Sequence, residues 1–244
     1  MNKYNFPQAT LQENNKNWHY RVVGPFSVPD YGRGAYSVLL TLRLIKNFSG
    51  GSLDEMTFST AMNLKFDGID PEVDFVAWRR KEKHGVHTAP DLIIGEAKSL
   101  GQGDLITSKD LAKLKQVGKK LPGAIIVLSV LRDHFTDNEK TILKQFVKWG
   151  RRPDIRREPT NPVLLLTTHE LFMDHFVTAA WKGMGEPHKS FSDFEHTRTI
   201  RNFAEATQRI YLGLPPSYED RQEEYKKRAA KAERSRAAKK AASA

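Results

Sequence analysis

Two acidic residues and one lysine, all in strand-like segments, are the side chains of this sequence whose types and spacing best fit joint chemistry. Glu96 and Lys98 stand two residues apart in the apolar segment DLIIGEAKS, residues 91–99. Because successive side chains of a β-strand point to opposite faces, residues two apart share a face. Asp74 lies among apolar residues in the preceding segment, EVDFVAWRR. Pairing of the two segments as a hairpin places Asp74 beside Glu96.

Carboxylates that converge on a half-buried strand face form a site for a hard divalent cation, since such ions take oxygen ligands. A bound cation lowers the pKa of a coordinated water and polarises a phosphodiester, and a nearby lysine stabilises charge developing on the phosphate. Asp74, Glu96 and Lys98 are therefore the parts that phosphodiester hydrolysis needs. The alternative is structural: Glu96 and Lys98 form an ion pair at a sheet edge, and Asp74 is an acid at a strand end. The apolar neighbours favour the first interpretation, because buried charges are rare without a partner or ligand.

A three-stranded meander is predicted to position these residues. Alternation of apolar and polar residues predicts strands at residues 56–66, 72–80 and 91–99, with a long polar hairpin loop at residues 81–90 between the last two. Glu72, Asp74 and Val76 are predicted to share one face of the second strand. A helix at residues 35–47 precedes the meander, and its apolar character on almost every side predicts burial.

Helices and strands alternate after the meander. Three Thr-x-x-acid segments have the spacing of capping boxes and predict helices that begin after Thr107, Thr136 and Thr167, the last reaching about residue 181. Apolar runs at residues 124–130 and 163–166 predict buried strands between these helices. The order of helix, three strands, helix, strand, helix, strand and helix predicts an α/β fold, a mixed sheet flanked by helices.

Three regions are predicted along the chain. Residues 1–29 are a mostly polar N-terminal arm with a short strand at 19–28, and residues 30–182 form the α/β domain. Residues 183–244 form a helical, basic C-terminal extension, with a helix at 195–211 and a tail rich in Lys, Arg, Glu and Ala.

The segments EVD at residues 72–74 and PDLIIGEAKS at residues 90–99 resemble the PD-(D/E)xK, or restriction-endonuclease-like, nuclease superfamily. In that family an Asp ends one strand, the next strand carries Glu-x-Lys, and a helix follows. The predicted order of elements over residues 35–130 is similar to the family's core, and the resemblance covers residues 30–150. It implies that Asp74 and Glu96 bind Mg²⁺ or Mn²⁺ together with the carbonyl of Ala97, and that Lys98 is the catalytic lysine.

Two features of the sequence leave alternatives open within this resemblance. Asp91 directly precedes the Glu-x-Lys strand and is the rival for the first acid; Asp74 is preferred because it lies inside a strand. Many members of the family carry a Glu on the first core helix, but residues 35–45 contain no acid. That departure questions a second metal position and leaves room for an inactive relative that only binds.

Further residues are candidates for contact with the substrate. Arginines in one loop are predicted to form a phosphate contact strip, with a solvated charged loop as the alternative: Arg151, Arg152, Arg156 and Arg157. Accessory roles are considered for four residues near the predicted centre: Glu72, Asp91, Ser99 and Gln116.

Composition agrees with a nucleic-acid partner. The net charge is +10 and the pI is about 9.6, which favours polyanions. The absence of cysteine excludes disulfides, thiolate metal sites and a cysteine nucleophile. The longest apolar run, near residues 124–131, is too short to cross a bilayer, and the first 17 residues lack the apolar core of a signal peptide. We therefore expect a soluble cytoplasmic protein.

The sequence as a whole predicts a Mg²⁺-dependent endonuclease that hydrolyses DNA phosphodiester bonds. By the family resemblance, DNA is favoured over RNA, the setting is anti-phage defence or DNA processing, and a homodimer or larger assembly is expected. The alternative function is a catalytically inactive nuclease-fold subunit that binds nucleic acid or serves in assembly.

Overall fold

The computed structural model describes residues 29–47, 55–80, 82–83, 86–87, 90–99, 104–152, 160–173, 176–220, 222 and 226. The strand predicted at residues 19–28 and the basic tail beyond residue 226 lie outside this part of the chain. The helices are α1 (Pro29–Asn47), α2 (Ser108–Lys120), α3 (Asp137–Gly150), α4 (Thr168–Leu171), α5 (Val177–Gly183) and α6 (Ile200–Leu212). The strands are β1 (Glu55–Asn63), β2 (Glu72–Arg80), β3 (Glu82–Lys83), β4 (Val86–His87), β5 (Asp91–Lys98), β6 (Ile125–Val130) and β7 (Val163–Leu166).

Five of these strands form one mixed sheet in the order β1-β2-β5-β6-β7. The strands β1, β2 and β5 are antiparallel neighbours, as a meander requires, whereas β5, β6 and β7 run parallel and are joined through helices. The short strands β3 and β4 form a separate hairpin within the connection between β2 and β5. The predicted mixed sheet flanked by helices is confirmed.

The part of the sheet formed by β5, β6 and β7 is buried on both faces, whereas the edge strand β1 is largely exposed, which explains the continuous apolar runs of these three strands. Ile93 and Ile125 pack in one hydrophobic cluster with residues of α1, α5 and α6. Ile94 and Ile126, their neighbours along the strands, pack in a second cluster with residues of α2 and α3. We call the second side the α2–α3 face of the sheet. In the described part of the chain, no helix has the length and apolar character needed to cross a bilayer.

The first helix is longer than predicted. Helix α1 begins at Pro29 rather than at residue 35, because proline fits the first turn of a helix, where its missing N–H has no intrahelical partner. Its predicted burial holds for most of its second half, where Thr41 donates to the Ser129 hydroxyl on β6 at 2.8 Å. Tyr36 and Leu39 are exposed.

All three predicted capping boxes are present, but the helix after Thr167 is much shorter than predicted. Helix α4 ends at Leu171, and α5 begins anew at Val177. The interruption lets the indole of Trp181 donate to the buried carboxylate of Glu170 at 2.9 Å. In one continuous helix these residues would be about 16 Å apart along the axis, so the hydrogen bond requires the break.

The region beyond residue 182 is partly integrated with the domain. Helix α6 packs on β7, and its residues Phe203, Ala204 and Ile210 belong to the first hydrophobic cluster. The helix predicted at residues 195–211 is a 3₁₀ turn at Phe194–His196 followed by α6. The α/β domain, expected to end at residue 182, therefore shares its core with residues up to Leu214.

Gly95 is required by close packing between β2 and β5. It pairs with Phe75, and a Cβ atom at this position would lie 2.0 Å from the phenyl ring. Gly95→Ala is expected to lower the free energy of unfolding by about 2 kcal/mol, because the buried ring has to move. Urea denaturation checks this, with Gly183→Ala as the control, since nothing lies within 4 Å of a Cβ there. Equal effects of the two substitutions would contradict the packing argument.

Candidate functional site

The antiparallel register of β2 and β5 brings the two predicted acids together. The paired residues run from Arg79 opposite Asp91 to Phe75 opposite Gly95. One further step in this register places Asp74 opposite Glu96. Glu96 is two residues after Ile94 on β5, and Asp74 is two residues before Val76, the partner of Ile94 on β2. Since residues two apart share a face, both acids point to the α2–α3 face. The hairpin pairing predicted from the sequence is confirmed, and it sets both carboxylates near the carboxyl end of β5.

Glu96 is the most deeply buried charge of this cluster, with an exposure of 4%. One carboxylate oxygen, Oε1, accepts a hydrogen bond from Lys98 Nζ at 3.1 Å. The other, Oε2, accepts from Lys113 Nζ on helix α2 at 2.8 Å. Both oxygens are thus neutralised by ammonium groups that arrive from different elements, which lowers the cost of burying the charge.

Asp110, in the first turn of α2, provides a second anion for Lys98 at 3.5 Å. Burial alone would lower the pKa of Lys98, but Glu96 and Asp110 outweigh it and hold the pKa above its usual value. Burial alone would raise the pKa of Asp110, but hydrogen bonds from Thr107 and the charges of Lys98 and Lys113 keep it below its usual value. Lys98 and Asp110 therefore both remain charged at neutral pH.

The buried carboxylate of Glu139 fixes the start of helix α2. It accepts from the backbone N–H of Ile106 at 2.9 Å and from the guanidinium of Arg132 at 2.7 Å. Burial alone would raise the pKa of Glu139, but these hydrogen bonds, with those from Thr136, hold it below its usual value. Because Ile106 comes just before the capping box of α2, Glu139 helps to position Asp110 and Lys113.

Asp74 is the acid of the site whose ionised form is disfavoured by its surroundings. One oxygen accepts a hydrogen bond from the backbone N–H of Ala97 at 2.7 Å. Burial, together with repulsion from Glu96, raises the pKa of Asp74 from 3.8 to about 6, although Ala97, Lys98 and Lys113 act in the opposite direction. The ionised form of Asp74 is therefore less favourable in the folded protein than in water.

Three of the accessory candidates lie near the cluster without contacting its carboxylates. Ser99 donates both its backbone N–H and its hydroxyl to Asp104, so it shapes the loop after β5. Gln116 is exposed and lies one turn beyond Lys113 on α2. Glu72 is exposed at the start of β2, two residues from Asp74.

Other predicted residues lie at the opposite end of the sheet. Asp91 is five residues before Glu96 on β5, about 16 Å away along the strand, and its carboxylate lies 3.9 Å from Arg201. This geometry leaves Asp74 as the acid beside Glu96. Arg152 is exposed, and its carbonyl accepts a hydrogen bond from the backbone N–H of Thr160 just before β7, away from Lys98.

Arg151 is a structural residue and not part of an exposed contact strip. It is buried, and its guanidinium donates to Gln208 at 2.7 Å, to the carbonyl of Pro215 at 2.8 Å and to Asp220 at 2.7 Å. The prediction that it contacts phosphate is corrected, because these partners from the C-terminal region occupy its charge. Arg156 and Arg157 lie outside the described residues.

Lys113 is the site residue that the sequence did not predict. Its signal is a helical spacing of polar residues on one side of α2, at positions i, i+4, i+7 and i+11: Lys109, Lys113, Gln116 and Lys120. Lys109, Gln116 and Lys120 are exposed, and Lys113 is half-buried. We call these four residues the α2 stripe; it leads away from Glu96 along the helix.

The donor set is compatible with Mg²⁺ or Mn²⁺. In the described part of the chain, no group of three or more His, Cys, Asp or Glu residues is arranged to hold a metal ion. Mg²⁺ does not require such a group, since it commonly binds through one or two carboxylates, water and the phosphate of a substrate. Asp74 and Glu96 supply two hard oxygen donors, and the repulsion between them is what a divalent cation relieves.

Comparisons with known proteins give little beyond this geometry. No protein-family model matches the chain, and no curated protein matches it. Among solved structures, the chain is similar to the MspJI restriction endonuclease, determined in complex with a 27-mer oligonucleotide, with 18% identity and a TM-score of 0.32. The similarity covers 73% of this chain, and the chain spans about a third (32%) of that protein. A TM-score of this size does not establish a common fold.

Removal of the Asp74 charge is expected to stabilise the metal-free protein. A carboxyl whose pKa is higher in the folded than in the unfolded chain costs stability as the pH rises through the interval between the two values, here from 3.8 to about 6. Asp74→Asn keeps an acceptor for Ala97 and is expected to raise the free energy of unfolding near neutral pH by at most about 3 kcal/mol.

Urea denaturation in EDTA across this pH range measures the effect. The gain is expected to shrink toward zero as the pH falls toward 3.8. Asp70→Asn, on the exposed connection between β1 and β2, is the control and is expected to change little. A destabilised Asp74→Asn variant at neutral pH would show that the carboxylate is structurally required.

Proposed function

We propose that the chain is a metal-dependent nuclease that hydrolyses phosphodiester bonds of DNA, with Asp74, Glu96 and Lys98 as its catalytic centre. The observation that carries the proposal is the convergence of Asp74 and Glu96 from paired strands, with Lys98 bonded to Glu96 at 3.1 Å. Burial of two carboxylates and an ammonium group near one strand end lowers the stability of the fold, because these charges lose water. A catalytic role explains why such charges are present.

Each residue has a separate task in this proposal. Asp74 and Glu96 hold Mg²⁺ or Mn²⁺, with the carbonyl of Ala97 as a further ligand. The ion supplies an activated water and polarises the phosphate. Lys98 stays protonated at neutral pH, because its pKa lies above the usual value. It therefore stabilises negative charge on the phosphate and orients the attacking water, and it does not act as a general base.

The charge distribution supports a nucleic-acid substrate. The chain has a net charge of +10. The α2 stripe passes the centre at Lys113 and carries three lysines over twelve residues, about 16 Å of helix. A row of cations on this scale can follow several phosphates of one strand. Arg152 is exposed at the other end of the sheet and is a second candidate contact.

The biological setting is an extension of this proposal. Double-stranded DNA is the proposed substrate, and anti-phage defence or DNA processing in the cytoplasm is the proposed role. A homodimer would bring two centres to the two strands of a duplex, since one centre cuts one strand at a time.

A non-catalytic subunit that binds nucleic acid is the second candidate. Two observations favour it: both oxygens of Glu96 already accept from lysines, and residues 35–45 of α1 contain no acid. In this alternative the lysines neutralise a remnant carboxylate, and the basic surface alone carries the function.

Cleavage assays separate the two candidates. Supercoiled plasmid, linear DNA and single-stranded RNA are incubated with Mg²⁺ or Mn²⁺ and with wild type, Lys98→Ala or Asp74→Ala. Wild type is expected to cut DNA, and each substitution is expected to lower the rate by at least about 100-fold, because it removes a charge that acts in the transition state. Lys140→Ala and Asp137→Asn, on the exposed first turn of α3, are the matched controls.

The outcomes point in different directions. Cutting that is lost in Lys98→Ala but retained in Asp74→Ala would remove Asp74 from the centre. Cutting that survives both substitutions would rule the centre out. Salt-sensitive binding by wild type without cleavage of any substrate would favour the non-catalytic subunit.

A further inference from the structure

We propose that Lys113 is the counter-ion of Glu96 in the metal-free protein and is released to bind a substrate phosphate when the centre is loaded. The proposal rests on the proposed function and adds to it a residue from a second element, helix α2. It makes Lys113 the connection between the catalytic centre and the α2 stripe.

In the metal-free protein, lysines already hydrogen-bond to both carboxylate oxygens of Glu96. Its Oε2 atom accepts from Lys113 Nζ at 2.8 Å, and its Oε1 atom accepts from Lys98 Nζ at 3.1 Å. A second cation placed directly on Oε2 would lie close to the Lys113 ammonium group and be repelled by it. Lys113 must therefore release Oε2 before that oxygen becomes a good ligand for a divalent ion.

The second step is the choice between the two lysines. Lys98 is also 3.5 Å from Asp110, and its side chain is 16% exposed, so it is held from two sides. The side chain of Lys113 is 27% exposed and reaches Glu96 from α2 across the gap between helix and sheet. A rotation about its flexible stem carries the ammonium group toward solvent, whereas the same movement of Lys98 breaks two ion pairs.

The third step is the destination of the released ammonium group. Once it has turned toward solvent, the ammonium group of Lys113 is free to pair with another anion. The phosphate at the centre is an anion within reach of the same stem. Lys109, Gln116 and Lys120 extend from Lys113 along the helix and can continue the contact to neighbouring phosphates.

The test compares two isosteric, neutral substitutions on the same helix. Lys113→Met removes the counter-ion of Glu96 and retains the aliphatic stem. Lys119→Met removes one exposed lysine of the same helix that lies outside the α2 stripe. The full chain, freed of metal, is titrated with Mn²⁺ alone, and binding is followed by electron paramagnetic resonance. Affinity for a short DNA duplex is then measured in Ca²⁺ by fluorescence anisotropy.

Lys113→Met is expected to bind Mn²⁺ about tenfold more tightly than wild type, because a competing cation is gone, and to bind the duplex about fivefold more weakly. Lys119→Met is expected to match wild type in Mn²⁺ affinity. Lys113→Arg, which keeps the charge, is expected to restore weaker Mn²⁺ binding. Thermal unfolding of the metal-free variants checks that each remains folded under the conditions of the titration.

Equal Mn²⁺ affinity of wild type and Lys113→Met would overturn the counter-ion role while leaving the metal centre of the proposed nuclease in place. Tighter Mn²⁺ binding without weaker DNA binding would overturn the phosphate role. Absence of Mn²⁺ binding in both proteins would overturn the metal centre and this inference together. Mn²⁺ binding that appears only in Lys113→Met would support the counter-ion role.

Discussion

The burial of Glu96 is the constraint on which the arrangement of this protein depends. A carboxylate with 4% exposure at the end of an apolar strand is tolerated only when cations replace its water. Lys98 comes from the same strand, but Lys113 comes from α2, so the helix has to lie where its side chain reaches Glu96. The ion pair thus couples the position of α2 to the sheet at one point. Apolar contacts of α2 alone would permit small shifts along the sheet that the ion pair does not.

The remaining supports of the site follow from that requirement. Asp110 completes the capping box of α2 and is also an anion for Lys98, so one residue both stabilises the start of the helix and balances charge. Glu139 binds the backbone just before α2 and ties its start to α3. Next to Glu96, the absence of a side chain at Gly95 leaves room for the ring of Phe75, so the two acid-bearing strands pair without a clash there. Helix packing, capping and strand pairing therefore all restrict the positions of the charged groups around Glu96.

The parts of this design that are local could be predicted from the sequence, and the parts that depend on distant residues could not. Glu96, Lys98 and Asp74 follow from a period of two, and the capping boxes follow from a spacing of three. Lys113 was missed because its partner lies on another element, and the polar spacing along α2 does not distinguish it from the exposed Lys109 and Lys120. Arg151 was misread because its partners, Gln208 and Asp220, are 57 and 69 residues away. The break after Leu171 was missed because Trp181 returns to Glu170 through a tertiary hydrogen bond.

Residues 35–45 of α1 contain no acid, and the side of the sheet on which that helix lies explains this. Residues of α1 pack with Ile93, Ile125 and Ala97 on one face of the sheet. Glu96 is two residues from Ile94 and therefore lies on the opposite face, toward α2. Thr41, an uncharged residue of α1, donates a hydrogen bond to the hydroxyl of Ser129 on β6. An acid on this buried side of α1 would have to lie within the apolar cluster, on the face of the sheet opposite to Glu96. The negative charge of the site therefore comes from the sheet and the start of α2, and two lysines oppose it. Such a nearly balanced cluster suits a single divalent ion and one phosphate group better than it suits two ions.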